Sequence, residues 1–220
     1  MTNHPNVTQR LLNRYSVMRH GQSKANQAGV IVSRIENDRR GDWGLSDLGR
    51  LEAVTAAEGC GLSADTVICS SDFSRARQSA EIVRAHIRAP EVIITEALRE
   101  RCFGDLEGGP VESYARVWAA DEAYADHAAG VEHAAAVLDR VTGLIAGLER
   151  RYSGRDILLV SHGDTLQILQ AGFLRMNPAR HRHLPHLKTA EIRRLVARLP
   201  GCRRVESGSR ARTARRGGDG

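Results

Sequence analysis

The chain has 220 residues, 41% of them hydrophobic and 4% aromatic, and a formal net charge of +6. That length suits one sizeable domain, and no internal repeat, membrane-spanning stretch or signal-peptide-like apolar run is visible. The charge excess does not define a nucleic-acid surface: beyond Gly201 six arginines stand against Glu206 and Asp219, so this tail alone carries +4 and the rest is nearly balanced.

Short apolar runs at 15–18, 66–69, 92–95 and 157–160, with a weaker one at 190–196, read as buried strands. Helical stripes separate them. Ser46 is placed to N-cap a helix carrying Leu48, Leu51 and Val54. Phe73, Ala76, Ala80, Val83 and Ile87 recur at helical spacing, as do Val131, Ala134, Leu138, Val141, Ile145 and Leu148, and Asp164 is placed to cap a helix with Leu166, Leu169 and Phe173. The aliphatic stripes are read as core. Strands alternating with helices predict an α/β domain with a mostly parallel sheet. Residues 104–139, acidic and with Arg116 as their only lysine or arginine, read as a helical cap over the sheet end. Residues 1–13 are an N-terminal extension, 14–200 the domain, and 201–220 a basic tail too poor in apolar residues to fold. Four cysteines without a CxxC pair read as reduced thiols, and the protein is expected to be soluble and cytoplasmic.

One arrangement occurs twice. The run at 15–18 leads into Arg19-His20-Gly21, and the run at 157–160 into Ser161-His162-Gly163. Both histidines therefore fall at the C-terminal ends of strands, where open parallel sheets bind ligands. Arg19 offers a guanidinium fork for phosphate oxygens, and cations beside His20 favour its neutral, nucleophilic form. Gly21 permits close approach of a ligand or another backbone, and Asn26 adds an uncharged donor. Arg75, in Ser70-Ser71-Asp72-Phe73-Ser74-Arg75-Ala76, would lie in the first turn of a helix whose N-terminus also attracts anions. Glu100, near a phosphate and partly desolvated, could hold the proton that a departing alkoxide needs. His162 would donate to the equatorial phosphoryl oxygens.

These motifs together resemble the histidine phosphatase superfamily in its phosphoglycerate mutase-like branch: Arg-His-Gly at 19–21 with Asn26, the 70–76 run, Leu-x-Glu-Arg-x-x-Gly at 98–104, and Ser-His-Gly at 161–163. The resemblance implies a three-layer α/β/α sandwich and a phosphohistidine mechanism needing no cofactor and no metal. His20 would become phosphorylated, Arg19, Asn26, Arg75 and His162 would form the phosphate pocket, and Glu100 would protonate the leaving group and then activate water. Gly21, Arg101 and Gly163 are expected beside the substrate. Gln22, Asp72 and Ser79 stand where the family often has Glu, Pro and Thr, and Asp164 follows the second His-Gly, either as a helix cap or as a substrate contact.

The expected activity is hydrolysis of a small, singly phosphorylated metabolite, bound between residues 25–43 and the cap. Phosphoglycerate mutase-type transfer and phosphoprotein hydrolysis are the alternatives within the resemblance, and a non-catalytic phospholigand scaffold lies outside it. Mutase chemistry needs a second phosphate site, and an acidic cap argues against one, although Lys24, Arg34, Arg39, Arg40 and Arg101 could compensate from across the cleft. Neither a nucleic-acid nor a membrane partner is expected, and a homodimer is a possible assembly. His181, His183 and His186 form a HxHxxH cluster, read as an irregular loop or phosphate-facing rim rather than a zinc site. Cys102 is read as a rim residue.

Overall fold

The computed structural model describes residues 11–196; the basic tail expected at 201–220 and most of the N-terminal extension lie outside the described residues. Five strands, β1 (Arg14–Arg19), β2 (Val67–Ser70), β3 (Val92–Ile94), β4 (Asp156–Ser161) and β5 (Ile192–Arg194), form one sheet in the order β3-β2-β4-β1-β5. All neighbours are parallel except β5, which runs antiparallel to β1 along the edge. The seven helices among the described residues are α1 (Lys24–Ala28), α2 (Ile35–Arg40), α3 (Asp47–Glu58), α4 (Ser74–Ile87), α5 (Tyr114–Ala123), α6 (Ala134–Arg151) and α7 (Gly163–Phe173).

Strand alternation divides the core into two layers. Tyr15, Val17, Ile157 and Leu159 pack against Val141, Ile145 and Leu148 of α6 and Leu166, Leu169 and Phe173 of α7. Met18, Ile68, Leu158 and Val160 face the other way, onto Ala53 and Ala57 of α3 and Ala76, Ala80 and Val83 of α4. The result is the three-layer α/β/α sandwich, and both stripes read from the sequence at 73–87 and 131–148 are buried.

The α3 stripe is a correction. Ser46 does cap that helix, its hydroxyl accepting from the Gly49 backbone N–H, but Leu48, Leu51 and Val54 face solvent, and Gly49, Ala53 and Ala57 are buried instead. Backbone contact sets this rotation. A Cβ on Gly49 would stand 2.0 Å from the Gln22 carbonyl oxygen, and one on Gly21 would stand 2.3 Å from the Gly49 carbonyl oxygen. The glycine pair lets α3 press on the loop that follows β1, and no leucine fits there.

The cap is shorter than expected at its C-terminal side. α6 starts at Ala134, and Val137 and Leu138 already pack on Ile168 of α7, so the segment over the sheet end is 104–133. It contains α5 and two short 3₁₀ turns, and Phe103, Val117 and Val131 join it to Ile31 in a separate apolar cluster.

Candidate active site

The central strands β2, β4 and β1 end side by side, and backbone bonds continue their register one residue further: His20 N–H donates to the Ser161 carbonyl and Ser71 N–H to the Val160 carbonyl. Residues far apart in sequence thus meet at one edge. His20 follows β1, His162 follows β4, and Ser71 leads from β2 into α4, where Arg75 occupies the first turn.

His20 is 3% exposed, and its neighbours fix its tautomer. Nδ1 lies 2.7 Å from the Gly21 carbonyl oxygen, which can only accept, and Nε2 lies 3.2 Å from Arg75 Nε, which can only donate. The proton is therefore on Nδ1 and the lone pair on Nε2. Burial, then the guanidiniums of Arg75 and Arg19, push the imidazole pKa well below its usual range, so the ring is neutral. Arg75 is itself positioned by the Val32 carbonyl at 2.8 Å and by Asp38 at 3.5 Å. Ser79 braces the strand end, accepting from Gly21 N–H and donating to the Arg75 carbonyl.

His162 packs edge-on against His20, with ring centroids 5.1 Å apart, and is fully buried, in contact with a lining residue rather than lining the cavity itself. Its Nε2 pairs with Ser71 Oγ at 2.9 Å while its Nδ1 has no partner. Burial, Arg75 and His20 lower its pKa well below the imidazole range. Arg19 uses one terminal nitrogen on His186 Nε2 at 2.6 Å and the Leu187 carbonyl at 3.0 Å, and its buried Nε is also without a partner.

Glu100 follows β3 and a 3₁₀ turn. Its Oε1 accepts from the backbone N–H groups of Arg101 and Thr165 at 2.9 and 3.2 Å. Burial and the nearby Asp164 carboxylate raise its pKa above the ordinary carboxylate range, against the pull of those N–H groups and of Arg75. Arg19, His20, Asn26, Arg75, Glu100 and Gly163 line one cavity of about 370 Å³. Asn26 Oδ1 is used in the capping box with Ser23 at the start of α1, which leaves its amide as a donor.

Arg101 and Gly21 do not line this cavity. Arg101 is fully buried in a bidentate pair with Asp121 of α5, at 2.6 and 2.8 Å, and reaches Asp164 at 3.2 Å. Gly21 serves the backbone contact with α3. Asp164 does not cap α7 either, because the N-cap position is His162 and Asp164 lies in the first turn. It accepts instead from Trp118 Nε1 at 2.9 Å, His181 Nε2 at 2.8 Å and Arg101. Burial acts to raise its pKa, but His181 and Arg101 outweigh that and hold it at about 2. This network bolts the cap onto α7.

The cationic residues expected across the cleft are also engaged elsewhere: Lys24 pairs with Asp42, and Arg34 lies 4.0 Å from Asp105. The histidine cluster is split. His181 is buried on Asp164, His183 pairs with Glu122 at the surface, and only His186 reaches the cavity. Sequence reasoning missed Tyr114 and Trp118 of the cap and Arg182 of the Pro178–His183 3₁₀ helix, all in the cavity wall. Arg182 lies inside the histidine cluster, so its basic neighbourhood was visible, but the Trp118 ring on which it stacks was not. Of the departures from the resembled pattern, Gln22 accepts from the Ser46 hydroxyl and Asp72 makes a two-pronged pair with Arg99.

The chain matches the histidine phosphatase superfamily (branch 1) over residues 16–207 and belongs to it. It is 28% identical over 172 residues to the metal-independent phosphoserine phosphatase of Arabidopsis thaliana, spanning 74% of this chain and 68% of that protein. It is 31% identical over 175 residues to glucosyl-3-phosphoglycerate phosphatase of Mycolicibacterium vanbaalenii, spanning 73% and 74%. The native structure of a mycobacterial glucosyl-3-phosphoglycerate phosphatase superposes with a TM-score of 0.68 at 30% identity, covering 82% of this chain and 88% of that one. The protein is a phosphoric monoester hydrolase with a phosphoglycerate mutase-like fold, in a superfamily that works through a phosphohistidine intermediate. No helix among the described residues is long and apolar enough to cross a membrane.

Proposed function

We propose that this chain hydrolyses small phosphomonoesters without a metal, with His20 as nucleophile and Glu100 as proton donor and acceptor. The observation that carries the residue assignment is a pair of orphans. Among the described residues three buried side-chain polar atoms lack a partner, and two of them, Arg19 Nε and His162 Nδ1, flank His20. Buried polar groups are ordinarily satisfied. A phosphoryl group over His20 supplies the missing acceptor to Arg19 and to a protonated Nδ1 of His162.

The steps follow from the proton positions. His20 Nε2 attacks phosphorus as the Arg75 N–H moves from that lone pair to a phosphoryl oxygen. The phosphorus–oxygen ester bond breaks, and the leaving alkoxide takes the proton of Glu100. Water then gives a proton to the Glu100 carboxylate and attacks the phosphohistidine, which releases inorganic phosphate and restores His20. Arg19, Arg75, Asn26 and His162 stabilise the three equatorial oxygens throughout. Gly163 lines the same cavity, where a Cβ would stand 3.6 Å from the Arg19 guanidinium.

The cavity volume supports a small metabolite. A mutase needs cations for a second phosphate, and none of the residues expected to provide them, Lys24, Arg34, Arg39, Arg40 and Arg101, lines the cavity, where Arg182 alone joins the floor pair of arginines. Reduced thiols at Cys60, Cys69 and Cys102 support a cytoplasmic setting. Turnover of p-nitrophenyl phosphate in excess chelator tests the reading: activity should persist and vanish in His20→Ala. Abolition by chelator, or full activity in the variant, contradicts it.

A further inference from the structure

Above the floor, the cavity wall holds one cation that the hydrolytic steps do not use. Arg182 is half-buried, its guanidinium carbon 3.7 Å above the centre of the Trp118 ring, with one terminal nitrogen donating to Gln167 Oε1 at 2.5 Å. Gln167 is buried on α7, so both faces of this contact are fixed by packed elements. Among the described residues Arg182 makes no ion pair. The nearest acidic influence is Asp164, whose oxygens are committed to Trp118, His181 and Arg101. A planar guanidinium stacked on an aromatic face has lost part of its hydration and most of its freedom, and its remaining N–H donors are open to a ligand's acceptor.

We infer that Arg182 binds a carboxylate on the alcohol portion of the substrate, so that the preferred esters are phosphorylated hydroxy acids or amino acids. This rests on the phosphatase reading of the cavity that Arg182 shares with His20. The charge balance of the wall selects carboxylate over a second phosphate. The floor guanidiniums of Arg19 and Arg75 are matched to the transferred group, which leaves a single fork at the wall with the Asp164 carboxylate near it. One guanidinium matches a monoanion in a bidentate geometry. A second dianion would face that carboxylate with one cation to offset it.

The proposal makes Arg182 a specificity residue, and ester pairs that differ at one group read it. O-phosphoserine and O-phosphoethanolamine differ only by the carboxylate; 3-phosphoglycerate and glycerol 3-phosphate differ by carboxylate against hydroxymethyl. The full chain should favour the carboxylate-bearing member of each pair by about tenfold or more in kcat/KM, since a site built around a hydrogen-bonding group rejects the analogue lacking it. In Arg182→Met that ratio should fall towards one, mainly through KM of the carboxylate ester, and Arg182→Lys, which keeps charge but loses the fork, should fall between. Equal turnover within both pairs by the unaltered chain overturns the proposal without reference to any variant, as does a ratio unmoved in Arg182→Met. Either result leaves the phosphatase reading intact. If no ester is turned over and no phosphohistidine forms, both fail together.

Discussion

On the floor of the cleft, the reactive side chains hang from the ends of four adjacent parallel strands, and each is positioned within a few residues of the strand that carries it. The roof is built differently: α5 is held down by Arg101, Asp121, Asp164, Trp118 and His181, which come from four separate parts of the chain and meet in a buried network. The floor gets its precision from the sheet, with polar atoms left open for a ligand. The roof gets its precision from charges that satisfy each other, Arg101 and His181 against Asp121 and Asp164. Chemistry in this molecule is a property of local motifs, whereas the shape of the cavity depends on long-range pairing.

Substitutions in the two regions should therefore fail in different ways. The largest expected effect is on the floor: Glu100→Gln should lower kcat/KM for alkyl phosphates by about 10²–10⁴, with much less loss on p-nitrophenyl phosphate, whose leaving group needs no proton. Because Glu100 must begin protonated and its pKa is raised, unaltered activity should decline as pH rises through a value above the ~4.3 of a free glutamate, and the variant should lose that limb. Equal losses on both esters would remove Glu100 from proton transfer.

In the roof the expected failure is of stability. Arg101→Met leaves two buried carboxylates without their shared cation and should cost about 3–5 kcal/mol in chemical denaturation. A loss below about 1 kcal/mol would mean that the cap is fastened some other way.

Acid separates the two regions in one titration. His20 and His162 have folded pKa values well below the ~6.5 of the unfolded chain, so the stability they hold at neutral pH should erode as pH falls below about 6.5. Asp164, held at about 2 against ~3.9 unfolded, contributes stability that is complete above roughly pH 5 and is lost as pH drops towards 2, on the order of 2–3 kcal/mol. Unfolding free energy measured against pH should show both phases, and Asp164→Asn should remove only the lower one.

The same contrast explains what the sequence could reveal. The five strands, the two long stripes and the placement of His20, Arg75, Glu100 and His162 at one sheet edge follow from local periodicity and short motifs, because the parallel sheet converts strand ends into neighbours. Arg101 misled for the opposite reason: it adjoins Glu100 in sequence, yet its side chain turns away to Asp121, twenty positions on, and nothing local encodes that pairing. Leu48, Leu51 and Val54 misled because the rotation of α3 is set by two glycines in backbone contact rather than by its apolar spacing. Arg182 and Trp118 carry no periodic or motif signal, and their stacking exists only once the cap has docked.

The central claim, that His20 carries the phosphoryl group, is tested most directly by acid-quenching the protein after brief exposure to a ³²P-labelled phosphomonoester. The account predicts label on the chain that is labile to acid on prolonged incubation, stable to base, mapped to His20 and absent in His20→Ala. Label on another residue, or efficient hydrolysis by His20→Ala, would contradict it.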